Sequence, residues 1–279
     1  MLIEAEYAAI IERICVAGAD SIGVLGSTGG FAYLDRPTRR RVIGLAVTTS
    51  RGRIPIIAGI GALRTDAAVA LAIDALEAGA DALLLPPMSY SPLSDAEVEG
   101  HFRTVAVATP LPLCIYNNPG TTHFSFSPEL LDRLAALATV AAVKMPPPAN
   151  GDFAAELAQF RRRAMGGLRI GYSADWALAP ALSSSADAFY SGLAGVLPKA
   201  FAALAKVAQG DDTTATAEAN ARFEPLWKLG REFGGLRLSF AIARLLGLSK
   251  AQPPLPILPV PVEADTRISK ALGELAVVD

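Results

Sequence analysis

The chain has 279 residues, 52% of them apolar and 19% charged, with a formal net charge of −2. This composition supplies a large core, and the length suits one barrel of alternating strands and helices. A near-neutral balance with no long basic run argues against a nucleic-acid partner, and no apolar run is long enough to span a membrane.

The N-terminal stretch MLIEAEYAAIIERI mixes charge into an amphipathic pattern, predicting a helix over roughly 3–18. It has no basic region leading into an apolar one, so it does not read as a signal peptide, and a cytoplasmic location is expected. Seven short apolar runs follow: SIGVLG (21–26), IPIIAGIG (54–61), DALLLPP (81–87), LPLCIYNN (111–118), VAAVKM (140–145), RIGYS (169–173) and DAFYSGL (187–193). Most are almost wholly apolar, as strands buried on both faces of a parallel sheet must be. Helical patterns lie between them: 36–50, 65–80, 94–108 and 127–138. Thr65, Ser94 and Ser127 are expected N-caps, and Pro128 suits a first helical position.

Strand starts mostly fall about thirty residues apart, one β-loop-α-loop unit each. GSTGG (26–30) follows a strand but lacks the G-x-G-x-x-G of a dinucleotide fold and the Lys-Ser/Thr of a P-loop. The expected fold is therefore α/β, a (β/α)8 TIM barrel, rather than a doubly wound open sheet. Beyond the seventh run the pattern turns helical, over 197–209, 214–230 and 231–247. A Pro-rich stretch (252–261) and a last helix (264–275) complete it. The division reads as a barrel over 1–210 with a C-terminal helical extension, 211–279, packed on it as one structural unit.

Arg39 to Arg41 and Arg161 to Arg163 each sit in a helical stretch and are expected on solvated faces. Cys15 and Cys114 imply no disulfide framework, and Cys114, inside LPLCIY, is expected as a buried thiol. His101 and His123 have no partners at metal-ligand spacing, so no metal site is expected.

In a barrel, chemistry collects where the strands end. Lys144 closes the apolar strand VAAV and is followed by Met145 and three prolines. A dry barrel mouth disfavours the ammonium form and leaves an amine able to attack a ketone. A lysine paired with a carboxylate such as Asp175, or one reaching to solvent, fits the position equally well. Tyr116 ends the preceding strand; it reads as a proton-transferring phenol or as a core tyrosine with its hydroxyl at the rim. Ser27 and Thr28 offer hydroxyls, and the backbone amides of GSTGG offer a nest for a carboxylate, unless the segment is only a tight turn.

Together these residues resemble the dihydrodipicolinate synthase / N-acetylneuraminate lyase family of class I aldolases. The resemblance rests on G-S-T-G after a strand, P-P-x-x-Y, Y-N-x-P-G, and a lysine ending a strand some thirty residues on. It implies that Lys144 forms a Schiff base with a 2-keto acid, that Tyr116 transfers protons and that Ser27 relays them. It further implies that Thr28 and the adjoining backbone, including Gly29, hold the keto acid's carboxylate, with Tyr190 close by. It also implies no organic cofactor or metal, and assembly as a homodimer or homotetramer.

The departures concern the partner substrate. Gly30 stands where the family commonly has Glu. Thr121 stands where lysine-biosynthetic members carry an Arg for the second substrate's carboxylate. Ser89, with Tyr90 one residue later, stands where those members have a tyrosine that reaches the neighbouring subunit. Met145 and the prolines after Lys144 lack the hydroxyls of sialic-acid lyases. Three readings remain: a lyase or aldolase of pyruvate or a 2-keto-3-deoxy acid, with Tyr90 and Thr121 on the partner side; dihydrodipicolinate synthase itself; and a non-catalytic small-molecule-binding barrel. Relatives place a strand of the form A-L-x-T-P before the first helix. Seven runs where a closed barrel needs eight lead to the expectation that strand one is absent from this chain, through truncation or a late start, leaving two unpaired edges.

Overall fold

Seven strands, one from each apolar run, pair in parallel in the order in which they occur along the chain. They are β1 (Ile22–Val24), β2 (Ile56–Gly59), β3 (Ala82–Leu85), β4 (Leu113–Tyr116), β5 (Val140–Met145), β6 (Arg169–Tyr172) and β7 (Ala188–Phe189). The computed structural model describes residues 2–163 and 167–275. Strand residues divide by face, as a period of two requires. Ile22, Ile56, Leu83, Leu113, Ile115, Val143 and Ile170 pack outward into one core with the surrounding helices. Ile57, Leu84, Cys114, Tyr116, Ala142 and Tyr190 form a separate inner cluster.

That inner cluster shows that the sheet is curled. Strands β4 and β7 are three apart in order, about 14 Å in a flat sheet. Yet Tyr190, just beyond β7, brings its hydroxyl within 3.4 Å of Cys114 Sγ on β4. Among the described residues no strand precedes β1, and β1 and β7 are the two ends of the sheet. At the mouth the ends nevertheless meet: a Cβ on Gly192, past β7, would lie 2.5 Å from Thr28 Oγ1, past β1. Outside, the helix Glu4–Ala17 bridges the same seam, packing on both Arg36–Ser50 and Pro198–Ala208.

The local chemistry of the helix starts is mostly as expected. Ser94 forms a capping box with Glu97, and Ser127 accepts from the Leu130 amide ahead of Pro128. Thr65 departs from expectation. It is the first residue inside its helix, Arg64 holds the cap position, and the Thr65 hydroxyl instead meets His101 Nδ1 at 2.9 Å. The basic cluster also needs correction. Arg40 and Arg41 lie on the surface, paired with the buried Asp74 and the exposed Glu77 and Glu4, but Arg39 is only 6% exposed. Its guanidinium donates to the carbonyls of Gly59 and Gly61 at the end of β2 and stacks on Phe31. The triple-Arg pattern hides this because one face of an amphipathic helix points inward whatever residue occupies it.

The C-terminal helices share a second core with the last barrel elements: Leu178, Leu182 and Leu193 pack with Phe201, Leu226, Trp227, Leu238 and Ile268. The segment expected as one helix over 214–230 is two, Thr213–Arg222 and Glu224–Phe233. Pro225 explains the break: it lacks an N–H and belongs in a first turn. Gly234, at φ 78°, then separates the helix Gly235–Leu245, and Asp265–Glu274 closes the described chain.

Candidate active site

The register between β4 and β5 brings the two central side chains together. Leu113 pairs with Val140, but the register then shifts, so that Cys114 pairs with Ala142 and Tyr116 with Lys144. Without that one-residue bulge at Ala141, Tyr116 would stand beside Val143, an outward residue, and Lys144 would face away. A bulge re-aims side chains in this manner. Lys144 Nζ sits 4.1 Å from the centroid of the Tyr116 ring and 5.6 Å from that of Tyr190. The Lys144 nitrogen is thus held between two aromatic rings, an arrangement favourable to a cation.

The Tyr116 hydroxyl is the hub of a short polar chain. Ser27 Oγ lies 3.3 Å from it, and Asn118 Nδ2 donates to it at 3.0 Å. Ser27 reaches it because the chain turns sharply after β1: Leu25 has φ 59° although it is not glycine, and it is buried. Such a conformation costs on the order of 1–3 kcal/mol and persists only where the surroundings enforce it. The turn also needs Gly59, since a Cβ there would lie 2.0 Å from Leu25 O. Within GSTGG, Gly30 N–H bonds to Ser27 O, while the Thr28 and Gly29 amides make no protein hydrogen bond among the described residues.

Tyr190 forms the floor beneath Lys144. Its ring lies against Gly171 of β6, where a Cβ would come within 2.6 Å of Tyr190 Cε2, and its hydroxyl reaches Cys114. Burial raises both groups: the thiol to about 11, and the phenol well above its ordinary range. Asp175 does not pair with Lys144 among the described residues. One of its oxygens instead accepts from Ser191 Oγ (2.5 Å) and from the Gly192 (3.0 Å) and Leu193 (3.3 Å) amides. Burial raises its carboxyl, against the opposing pull of those donors and of the Lys144 charge. By fixing the loop after β7, Asp175 sets the position of Gly192 against Thr28. It directly follows a strained residue, Ala174 at φ 68°.

The structure therefore gathers Lys144, Tyr116, Ser27 and Tyr190 at one mouth, with Thr28 at the seam and Gly29 beside it. Thr121 stands on the rim, exposed, its hydroxyl donating to Asn118 O. Tyr90 is 97% exposed and has no hydrogen bond or ring contact to Lys144 or Tyr116 among the described residues. Asn118, Asp175, Gly171 and Cys114 were not singled out as site residues from the sequence. Of these, Asp175 carried a signal, an acid three residues beyond the end of β6.

A parallel barrel with a lysine amine, a phenol and a hydroxyl converging at the C-terminal mouth defines a class of enzyme that handles carbonyl compounds through an amine. The comparisons give the particular family. Residues 2–275 match the Dihydrodipicolinate synthetase family, and the chain belongs to it. This is a family of class I aldolase-type lyases acting on pyruvate. The chain is similar to a dihydrodipicolinate synthase structure from Agrobacterium tumefaciens, with 48% identity and a TM-score of 0.96 over 98% of this chain and 92% of that one. It is also similar to the chloride-inhibited dihydrodipicolinate synthase from Acinetobacter baumannii complexed with pyruvate (25% identity, TM-score 0.88, 99% and 93% covered). Among sequences, the 4-hydroxy-tetrahydrodipicolinate synthase of Salinibacter ruber is 30% identical over 80% of this chain and 72% of that protein. The match to the Hyphomonas neptunium synthase, 39% identical, spans 53% of this chain and half of that protein.

Proposed function

We propose that this chain is a Schiff-base lyase or aldolase whose substrate is pyruvate or a 2-keto-3-deoxy acid, with Lys144 as the covalent residue. The observation that carries the reading is Lys144 Nζ over the Tyr116 ring, with Ser27 on the Tyr116 hydroxyl. The Lys144 amine attacks the C2 carbonyl, a C–N bond forms and one amine proton passes to the carbonyl oxygen; the resulting hydroxyl then leaves as water with the Tyr116 proton, giving a protonated imine and a Tyr116 phenolate. The protonated imine accepts the electron pair released when the C3–C4 bond of a keto-deoxy acid breaks, the C4 hydroxyl proton passing to the Tyr116 phenolate as the aldehyde leaves, or when a C3 proton passes to that phenolate. Thr28 and the Gly29 amide hold the carboxylate, in keeping with their uncommitted N–H groups. Ser27 returns protons to Tyr116, and Tyr190 closes the floor.

Thr121 supports a keto-deoxy acid over aspartate semialdehyde. It offers a hydroxyl where a bidentate guanidinium would be needed for a second carboxylate. A non-catalytic barrel is disfavoured by the bulge that turns Lys144 to face Tyr116, an arrangement with no evident use in packing. A cytoplasmic homodimer or homotetramer completes the proposal and rests on the family alone; no described helix is long and apolar enough to cross a membrane. The test is release of pyruvate from a panel of 2-keto-3-deoxy sugar acids. The native protein is expected to cleave at least one and Lys144→Ala none, with the variant's fold retained. Equal activity in the two would remove Lys144 from the mechanism.

A further inference from the structure

We infer that Asn118 is a positioning residue for proton transfer: its side-chain amide is a fixed donor to the Tyr116 oxygen and sets the direction in which that phenol gives and takes its proton. The inference rests on the Schiff-base reading and concerns a residue to which that reading assigns nothing.

Asn118 occupies the N-cap position of the short helix Pro119–Thr122. Asparagine there ordinarily turns its side-chain oxygen onto an amide of the first turn. Here it makes no such bond, and its Nδ2 donates to Tyr116 Oη at 3.0 Å instead. The helix start is tied down by other means. The Asn118 main-chain carbonyl accepts from the Thr121 and Thr122 amides and from the Thr121 and Thr122 hydroxyls. The side chain is thereby released from capping and committed to the phenol.

A phenol has one proton to give and lone pairs to receive with, whereas an amide nitrogen only gives. The contact with Asn118 therefore makes Tyr116 Oη an acceptor on that side. Its own proton is left for Ser27 Oγ at 3.3 Å or for the reacting atoms above Lys144. Proton traffic runs between substrate, Tyr116 and Ser27, and the Asn118 side is closed to it.

The same donor acts on the intermediate state. When Tyr116 protonates the departing hydroxyl during imine formation, its oxygen becomes an anion. A C3–H bond of the imine then breaks, the electron pair forms the C2=C3 bond of an enamine, and the proton moves to that anion. Between those steps Tyr116 carries the charge, and a hydrogen bond to a charged acceptor is about twice as strong as one to a neutral one. Asn118 holds that donor in place before the charge arrives. The cationic group facing the phenol is Lys144, over the ring rather than at the oxygen.

The experiment is exchange of the pyruvate methyl protons in D2O, followed by NMR, beside borohydride trapping of pyruvate on the same samples. Asn118→Asp keeps the shape and replaces the donor by an acceptor. A pyruvate adduct is still expected at the end point of trapping, formed more slowly than in the native protein, with exchange slowed about 10- to 100-fold, the worth of a hydrogen bond to a charged group. In a Tyr116→Phe background the same substitution should cause no further loss. Native exchange in Asn118→Asp, or an equal additional loss without the Tyr116 hydroxyl, overturns the inference. If Asn118→Asp does not fold, Asn118→Ser keeps the capping preference, shortens the reach and is read by the same criteria. Failure of the native protein to trap any 2-keto acid would instead bring down the Schiff-base reading and this inference with it.

Discussion

Replacing Gly171 by alanine tests whether the floor of the site is as tightly built as it looks. The Gly171 backbone does not need glycine's left-handed freedom, so the substitution alone should stabilise by about 0.4–1 kcal/mol through the unfolded chain. Space works the other way. The new methyl would lie 2.6 Å from Tyr190 Cε2, 2.9 Å from Ala188 O and 3.0 Å from Ala188 Cβ. The first obstacle is a ring anchored to Cys114 and the second is backbone in the adjacent strand, so neither can swing away freely. Overpacking of this kind costs about 1–3 kcal/mol, and the balance is a net loss. In a chain of this size each kcal/mol lowers Tm by about 2–4 °C, which thermal unfolding resolves. The same ring stands 5.6 Å from Lys144, so pyruvate trapping should slow as well. A Tm equal to or above the native value, with trapping unchanged, would refute the claim that Gly171 exists to admit Tyr190.

Tyr116→Phe is expected to slow turnover by about 10²- to 10⁴-fold while retaining partial trapping of pyruvate; native turnover would return Tyr116 to a packing role. Pyruvate with aspartate semialdehyde should condense poorly compared with cleavage of the best keto-deoxy acid, since Thr121 offers no guanidinium; efficient condensation would contradict the assignment of the partner side. Burial raises the Glu156 carboxyl above its ordinary 4.5, opposed by the bond it accepts from the Tyr172 hydroxyl at 2.6 Å. The folded chain therefore holds that proton more tightly than the unfolded one. This contribution is fully present below about 4.5 and is lost as pH rises through the folded value. Glu156→Gln should flatten that limb of the stability–pH curve, whereas Glu156→Ala should cost about 1–3 kcal/mol by leaving the buried Tyr172 hydroxyl unpartnered.

What the sequence disclosed and what it withheld follow from the range of the interactions. Seven strands were legible because strands buried on both faces are almost purely apolar and end in Gly or Pro. Ser94 and Ser127 were legible because a cap is satisfied within three residues. Lys144 and Tyr116 stood out as polar ends of apolar runs, but nothing local foretold that a bulge at Ala141 would set them side by side. The inward face of Arg39, the break at Phe223 and the diversion of Asn118 from capping to the phenol each depend on a partner from a distant segment or on a weak local signal overridden by packing. Asp175 was read as a possible partner for Lys144, and only the folded loop after β7 shows where its hydrogen bonds go.

The central claim is that Lys144 is the amine that captures the keto acid. Borohydride reduction in the presence of pyruvate, followed by mass spectrometry of the digested protein, tests it most directly. A stable reduced adduct is expected on the peptide containing Lys144, and none on that peptide in Lys144→Ala. An adduct confined to other lysines, or none with any 2-keto acid, would contradict it.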